Sequence, residues 1–371
     1  MKLAYLHHTV ALEGEHDIAP GAAVIGRLTA GRNLVLRPFA TLRADGETIR
    51  VGRNAFFGER ASVHIVDGIL GTTIGHDVTV GRFGLVHACT VGDGCVVGES
   101  AAILDGASVG DHAVVAADSV VTPRKNLPGG WLYQGAPAKP VREIARDEIA
   151  GLARSIRDGR PHALVAAQVL PPLGMESFLP HGATGGPFHA FGERLPRVDD
   201  AYVAPTSVLV GDVELEPDAG VYFGCALVAR GACIRVGART NIQDNTVMET
   251  DAARGDIVVG KGVTVGHNVQ LGAARIGDDA LIGMASRVGD GVVVEPAGCI
   301  AAGAWVSAGT VVRAGWLWAG RPARAFRHVS DAEREQFARG RDVYIGYGAA
   351  YRGAGITPAV SPSTTARPKS G

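Results

Sequence analysis

An aliphatic residue stands at every sixth place over long stretches of this chain. The positions are Val91, Val97, Ile103, Val109, Val115 and Val121, then Ile276, Ile282, Val288, Val294, Ile300, Val306 and Val312. Six is neither the 3.6-residue period of a helix nor the two-residue alternation of an ordinary strand. It fits a coil with three flat faces, each a strand of about six residues. One β-branched side chain per face points into the prism. A small residue often follows at the crowded corner, as in Val91-Gly92 and Ile282-Gly283. That placement accounts for 52 glycines in a chain with no collagen period. One rung cannot bury its own apolar face. Stacked rungs bury a continuous core, so such repeats come in arrays.

The array occurs twice. The stretch "DIAPGAAVIGRL" at 17–28 returns as "YVAPTSVLVGDV" at 202–213. "IRVG" at 49–52 recurs at 234–237, and "GWLYQGAPAKPVR" at 130–142 recurs as "GWLWAGRPARAFR" at 315–327. All three pairs share one offset, so no net insertion separates these markers. A helix signal follows each copy. The clearer is "SDAEREQFARG" at 330–340, where Ser330 and Glu333 have the spacing of a capping box. The expected domains are 1–160, a coil array plus helix, and 193–350, its repeat. A Pro- and Gly-containing linker at 161–192 joins them. The polar tail at 351–371 is expected to be disordered. Trp131 and Trp316 are expected to plug the ends of the two prisms.

Composition excludes several partners. The chain is 20% charged, with formal net charge −1, which is no electrostatic footprint for nucleic acid or an anionic membrane. No run of about 18 apolar residues occurs, so no membrane helix is expected. Five cysteines, at 89, 95, 225, 233 and 299, form no CxxC pair and leave an odd one. They read as reduced small hydrophobes. The N-terminus lacks the apolar core of a signal peptide. A cytoplasmic location is the expectation.

The hexapeptide pattern resembles the left-handed parallel β-helix, which makes the chain an all-β solenoid of two tandem β-helices, each followed by an α-helix. The second half resembles the γ-class carbonic anhydrases through "VGDVELEPDAGVYFG" (210–224), "IRVGARTNIQDNTVMET" (234–250), "VTVGHNVQL" (263–271) and "GRPARAFR" (320–327). The first half matches through "TLRADGETIRVG" (41–52), "ASVHIV" (61–66) and "GAPAKPVR" (135–142).

The resemblance implies zinc, with Fe²⁺ or Co²⁺ as alternatives, held by three histidines between neighbouring β-helices. Two ligands come from one β-helix and one from the next. The three ligand columns fall on His64 and Glu249, on Arg82 and His267, and on His87 and Gly272. The first copy thus keeps the first and third ligands, and the second copy keeps the second. One interface between unlike copies would assemble His64, His87 and His267. The steps from 64 to 82 and from 249 to 267 are equal and span three repeats, one full coil. The first two positions are therefore expected to stack.

Supporting residues divide in the same way. The family's Arg-Gly-Asp appears as Arg43-Ala44-Asp45, which reads as a catalytic pair or as an interface salt bridge. Its Gln-Asp survives as Gln243-Asp244, where the glutamine could orient a water. The implied activity is a carbonate dehydratase-like zinc lyase, the reversible hydration of CO₂ to bicarbonate. The alternatives are a hexapeptide acyl-CoA acyltransferase and a catalytically silent scaffold. Because the family packs three β-helices about an axis, a two-β-helix chain is expected to form a homo-oligomer.

Overall fold

The structure, a computed structural model, describes residues 1–169 and 187–358. It divides into two compact units, Met1–Glu176 and Ser177–Gly371. Residues 170–186 of the expected linker and 359–371 of the expected tail lie outside the described residues.

Each unit is a parallel β-helix of short strands. In the first unit a twelve-stranded sheet supplies two faces of the prism, and an eight-stranded sheet supplies the third. The long strand Thr41–Val51 bends around one corner and joins the two faces. Strand Ala226–Val236 does the same in the second unit. Successive coils pair in parallel, each partner one coil of three repeats along, as in Val97 with Val115 and Val91 with Val109. Every aliphatic of the six-residue beat is buried. Each contributes on the order of 1.5–3 kcal/mol by leaving water. The glycines at the corners permit close stacking. A Cβ on Gly92 would lie 2.3 Å from the Asp111 carboxylate, and one on Gly283 would lie 2.4 Å from the Ala302 amide nitrogen.

Two successive coils in each unit are longer than the rest, and the second of them is the longest. Val63 pairs with Val86, and Met248 with Leu271, so each partner lies further along the chain than one ordinary coil. The extra residues leave the prism as a small loop, closed in the first unit by a bridge between Val66 and Leu70. This corrects the stacking expected from the step between positions 64 and 82. His64 pairs with His87, not with Arg82, which follows strand Thr79–Val80 on the third face.

Two helices occur among the described residues, α1 (Arg146–Arg157) and α2 (Asp331–Gly353), one after each β-helix. The capping box of α2 is formed: Ser330 Oγ accepts from the Glu333 amide, and Glu333 accepts from the Ser330 amide. Hydrogen bonding by Arg327, then these cap bonds, pulls the Glu333 carboxyl down to about 2. α2 extends through residues 351–353 of the expected tail, and Tyr351 there is fully buried. Trp131 packs on the first core. In the second unit that place falls to Trp318, while Trp316 lies against the ring of His328. All five cysteines are free thiols. No helix among the described residues is long and apolar enough to cross a membrane.

Candidate metal centre

The strands Ser62–His64 and Leu85–His87 lie side by side, with His64 and His87 in register. Alternation along a strand sends Val63 and Val86 inward and the two histidines outward. Both imidazoles are nevertheless buried. His64 Nδ1 and His87 Nε2 face each other at 3.3 Å.

The other nitrogen of each ring meets a carboxylate. His64 Nε2 is 3.2 Å from Asp45 Oδ1, and His87 Nδ1 is 2.5 Å from Asp105 Oδ1. A carboxylate only accepts, so each imidazole donates through that nitrogen. In the neutral rings the two converging nitrogens therefore carry the lone pairs. Asp45 is itself bound by Arg43, two residues earlier on the same strand, and both are buried. The run Arg43–Asp45–His64–His87–Asp105 thus belongs wholly to the first unit.

The donor set fits a divalent metal. Imidazoles that bind metal usually donate their second N–H to a carboxylate, which fixes the tautomer. Two nitrogens each about 2.0–2.1 Å from a tetrahedral zinc stand about 3.3–3.4 Å apart, and His64 and His87 already have that separation.

His267 follows strand Thr264–Val265 in the second unit and is 1% exposed. Its Nδ1 is 3.3 Å from Asp244 Oδ2, and its Nε2 is 3.0 Å from the Tyr344 hydroxyl on α2. Asp244 is held in turn by the amide of Phe223. Gln243 is buried but donates to Asn241, its neighbour two residues back.

The second unit has no counterpart of the histidine pair. Glu249 stands where His64 stands and is bound by Arg230, at the place of Asp45. Gly272 replaces His87. A Cβ there would meet Asp290 at 2.3 Å and Arg254 at 2.9 Å. Arg254 forks onto Asp290, the counterpart of Asp105, and holds that carboxyl below its ordinary range. At the Arg82 position of the first unit, the guanidinium pairs instead with Glu99 at 2.5 Å.

Sequence reasoning did not find Asp105 or Tyr344. Asp105 lies one ordinary coil after His87, so its place beside the imidazole was readable from the repeat. Tyr344 belongs to a helix with no six-residue register, and nothing in the spacing signalled it.

Coil, register and duplication together define a hexapeptide-repeat β-helix protein. The family described as "Hexapeptide repeat of succinyl-transferase" matches residues 48–81 and 89–123. Gamma carbonic anhydrase 1, mitochondrial, of Arabidopsis thaliana is 37% identical over 147 residues, which are 38% of this chain and 54% of that protein. The carnitine operon protein CaiE of Escherichia coli is 40% identical over 149 residues, 39% of this chain and 74% of that protein. A solved hexapeptide transferase family protein from Anaplasma phagocytophilum is 37% identical and covers 44% of this chain and 97% of that one, with a TM-score of 0.42. The chain belongs to the hexapeptide-repeat family that contains the γ-class carbonic anhydrases, as a tandem duplication of two such domains. It spans about half the length of the plant relative.

Proposed function

We propose that this protein is a metal-dependent, γ-carbonic anhydrase-like lyase that interconverts CO₂ and bicarbonate. In this reading one centre is retained, with His64 and His87 from one β-helix and His267 from another. Zinc is the metal favoured by three imidazoles, with Fe²⁺ and Co²⁺ as alternatives. The observation that carries the reading is the buried histidine pair with converging nitrogens 3.3 Å apart, each ring backed by a carboxylate.

A bound divalent ion would polarise a water and lower its pKa towards neutrality. The chain's own residues set up the site. Asp45 and Asp105 fix the tautomers of His64 and His87, and the Asp244 carboxylate faces Nδ1 of His267 at 3.3 Å. Arg43 holds the Asp45 carboxylate, and so acts through His64 as a positioning residue. Gln243, held by Asn241, is the candidate to orient a water. The Tyr344 hydroxyl engages the Nε2 of His267. A homo-oligomer is part of the proposal, because two β-helices cannot fill a threefold arrangement alone.

Stopped-flow CO₂ hydration by protein loaded with Zn²⁺, Fe²⁺ or Co²⁺ tests this. The rate should fall to background in His64→Ala and persist in Glu249→Ala. Equal rates in both variants would remove the proposed centre. Acyl-CoA binding without any metal requirement would favour the transferase alternative. Light scattering should give a mass above the 38.3 kDa of one chain.

A further inference from the structure

The two helices sit differently on their β-helices. α1 packs with Ile149, Leu152 and Ile156 against Val96 and Val114 in one buried apolar cluster. The matching places in the second copy are Arg334, Phe337 and Arg341 over Leu281 and Cys299. The later turns of α2 anchor on the early coils of the second unit through buried Tyr344, Tyr347 and Tyr351. Its first turns span a cavity of about 290 Å³. That volume is at the lower edge of small-molecule sites.

The cavity has an apolar floor and two arginines in its wall. Leu281, Ala297, Cys299 and Phe337 form the apolar surface. Burial raises the Cys299 thiol to about 11, so it is an inert wall and not a nucleophile. Arg334, Arg341 and Asp279 are the charged residues of the lining, and Asp331 lies 3.8 Å from the Arg334 guanidinium. Arg341 Nη1 reaches Asp279 at 2.6 Å, and Arg334 donates to the Val329 carbonyl. The Arg341 Nε is buried without a hydrogen-bond partner among the described residues. The closest carboxylate oxygen recorded for it, on Asp342, is 3.6 Å away. A buried donor without an acceptor is costly. Where the sister unit has an isoleucine, the Nε of Arg341 therefore wants an acceptor that an added carboxylate would supply.

We infer that the space under α2 is a binding site for a small monocarboxylate with a short aliphatic body. Its carboxylate would engage Arg341, with Arg334 at the mouth, and its chain would lie on Leu281, Cys299 and Phe337. This site is separate from the proposed metal centre and does not depend on it.

Titration calorimetry of the full chain with butyrate tests the assignment. Butyrate should bind, and the uncharged butyramide should bind at least about tenfold more weakly, as loss of a charge-assisted contact requires. Arg341→Ile and Arg334→Ile import the residues of the first unit. Each should weaken butyrate binding by about tenfold or more and leave metal content unchanged. Leu281→Trp fills the cavity but keeps both guanidiniums, and should abolish binding. It stands in if an arginine variant misfolds. No heat with butyrate, equal binding of butyramide, or unaltered binding by Leu281→Trp would overturn the assignment.

Discussion

The face that carries Arg43, Asp45, His64, His87 and Asp105 in the first unit carries Val228, Arg230, Glu249, Gly272 and Asp290 in the second. The backbone is the same: the longest coil of each unit lengthens the step between paired strands by the same amount. The charges are exchanged. Where an aspartate meets an imidazole in one unit, an arginine meets a glutamate in the other. Where the second imidazole reaches Asp105, Arg254 from the protruding loop grips Asp290. On one face two imidazole nitrogens converge at 3.3 Å. The other supplies its own cations. The β-helix keeps its fold through the inward residues, so the outward ones are free to diverge after duplication.

That comparison presumes one scaffold in both units, and the core is the place to break it. Ile49→Ala and Ile234→Ala remove equivalent inward side chains, each fully buried. Each should cost roughly 2–5 kcal/mol in denaturant unfolding. A cost below about 1 kcal/mol would mean that the residue does not face a packed core.

A smaller effect separates the two surfaces. Asp45→Asn should weaken zinc binding by about 10–100-fold, because the amide no longer fixes the His64 tautomer. Arg230→Ala, at the matching place, should leave zinc affinity unchanged. Competition with a chromophoric chelator reads both, and equal effects would erase the distinction between the faces.

The helix starts differ as well. Ser330 caps α2, whereas Ala145 at the start of α1 offers no side-chain cap. Ser330→Ala should cost about 1 kcal/mol, and Ala145→Ser, three residues before Glu148, should return a similar amount to the first unit. Thermal unfolding that moves in neither variant would contradict the cap.

The least effect concerns acid. The Glu333 carboxyl is lowered from 4.5 to about 2 by Arg327 and the cap. A depressed folded-state value means that its stabilisation is complete above about 4.5 and is lost as pH falls through about 2. Glu333→Gln should flatten that part of the stability profile. An unchanged profile would assign the acid response elsewhere.

Much of this was readable before any coordinates. The beat from Val91 to Val121 marked the inward face without error, because a solenoid repeats one local rule. The same rule misplaced Arg82 above His64. An inserted loop leaves the prism without disturbing the next coil, so residues 66–70 lengthen the count but not the stack. The division of the histidines between copies was legible, since a constant offset aligns the halves. The roles of Arg43 and Asp45 were not, because a salt bridge within one strand and one across an interface look alike in sequence. Tyr344 and the cavity under α2 depend on how a helix settles on a sheet, which no period encodes.

The central claim is that one metal centre survives, divided between the copies. Metal content by mass spectrometry, on protein purified and then equilibrated with zinc, tests it most directly. The account predicts about one tightly held zinc per native chain, since each chain supplies one set of three imidazoles. It predicts near-complete loss in His64→Ala, His87→Ala and His267→Ala, and full retention in Glu249→Ala and Arg82→Ala. A native chain that holds no zinc, or His267→Ala that holds as much as the native chain, would contradict it.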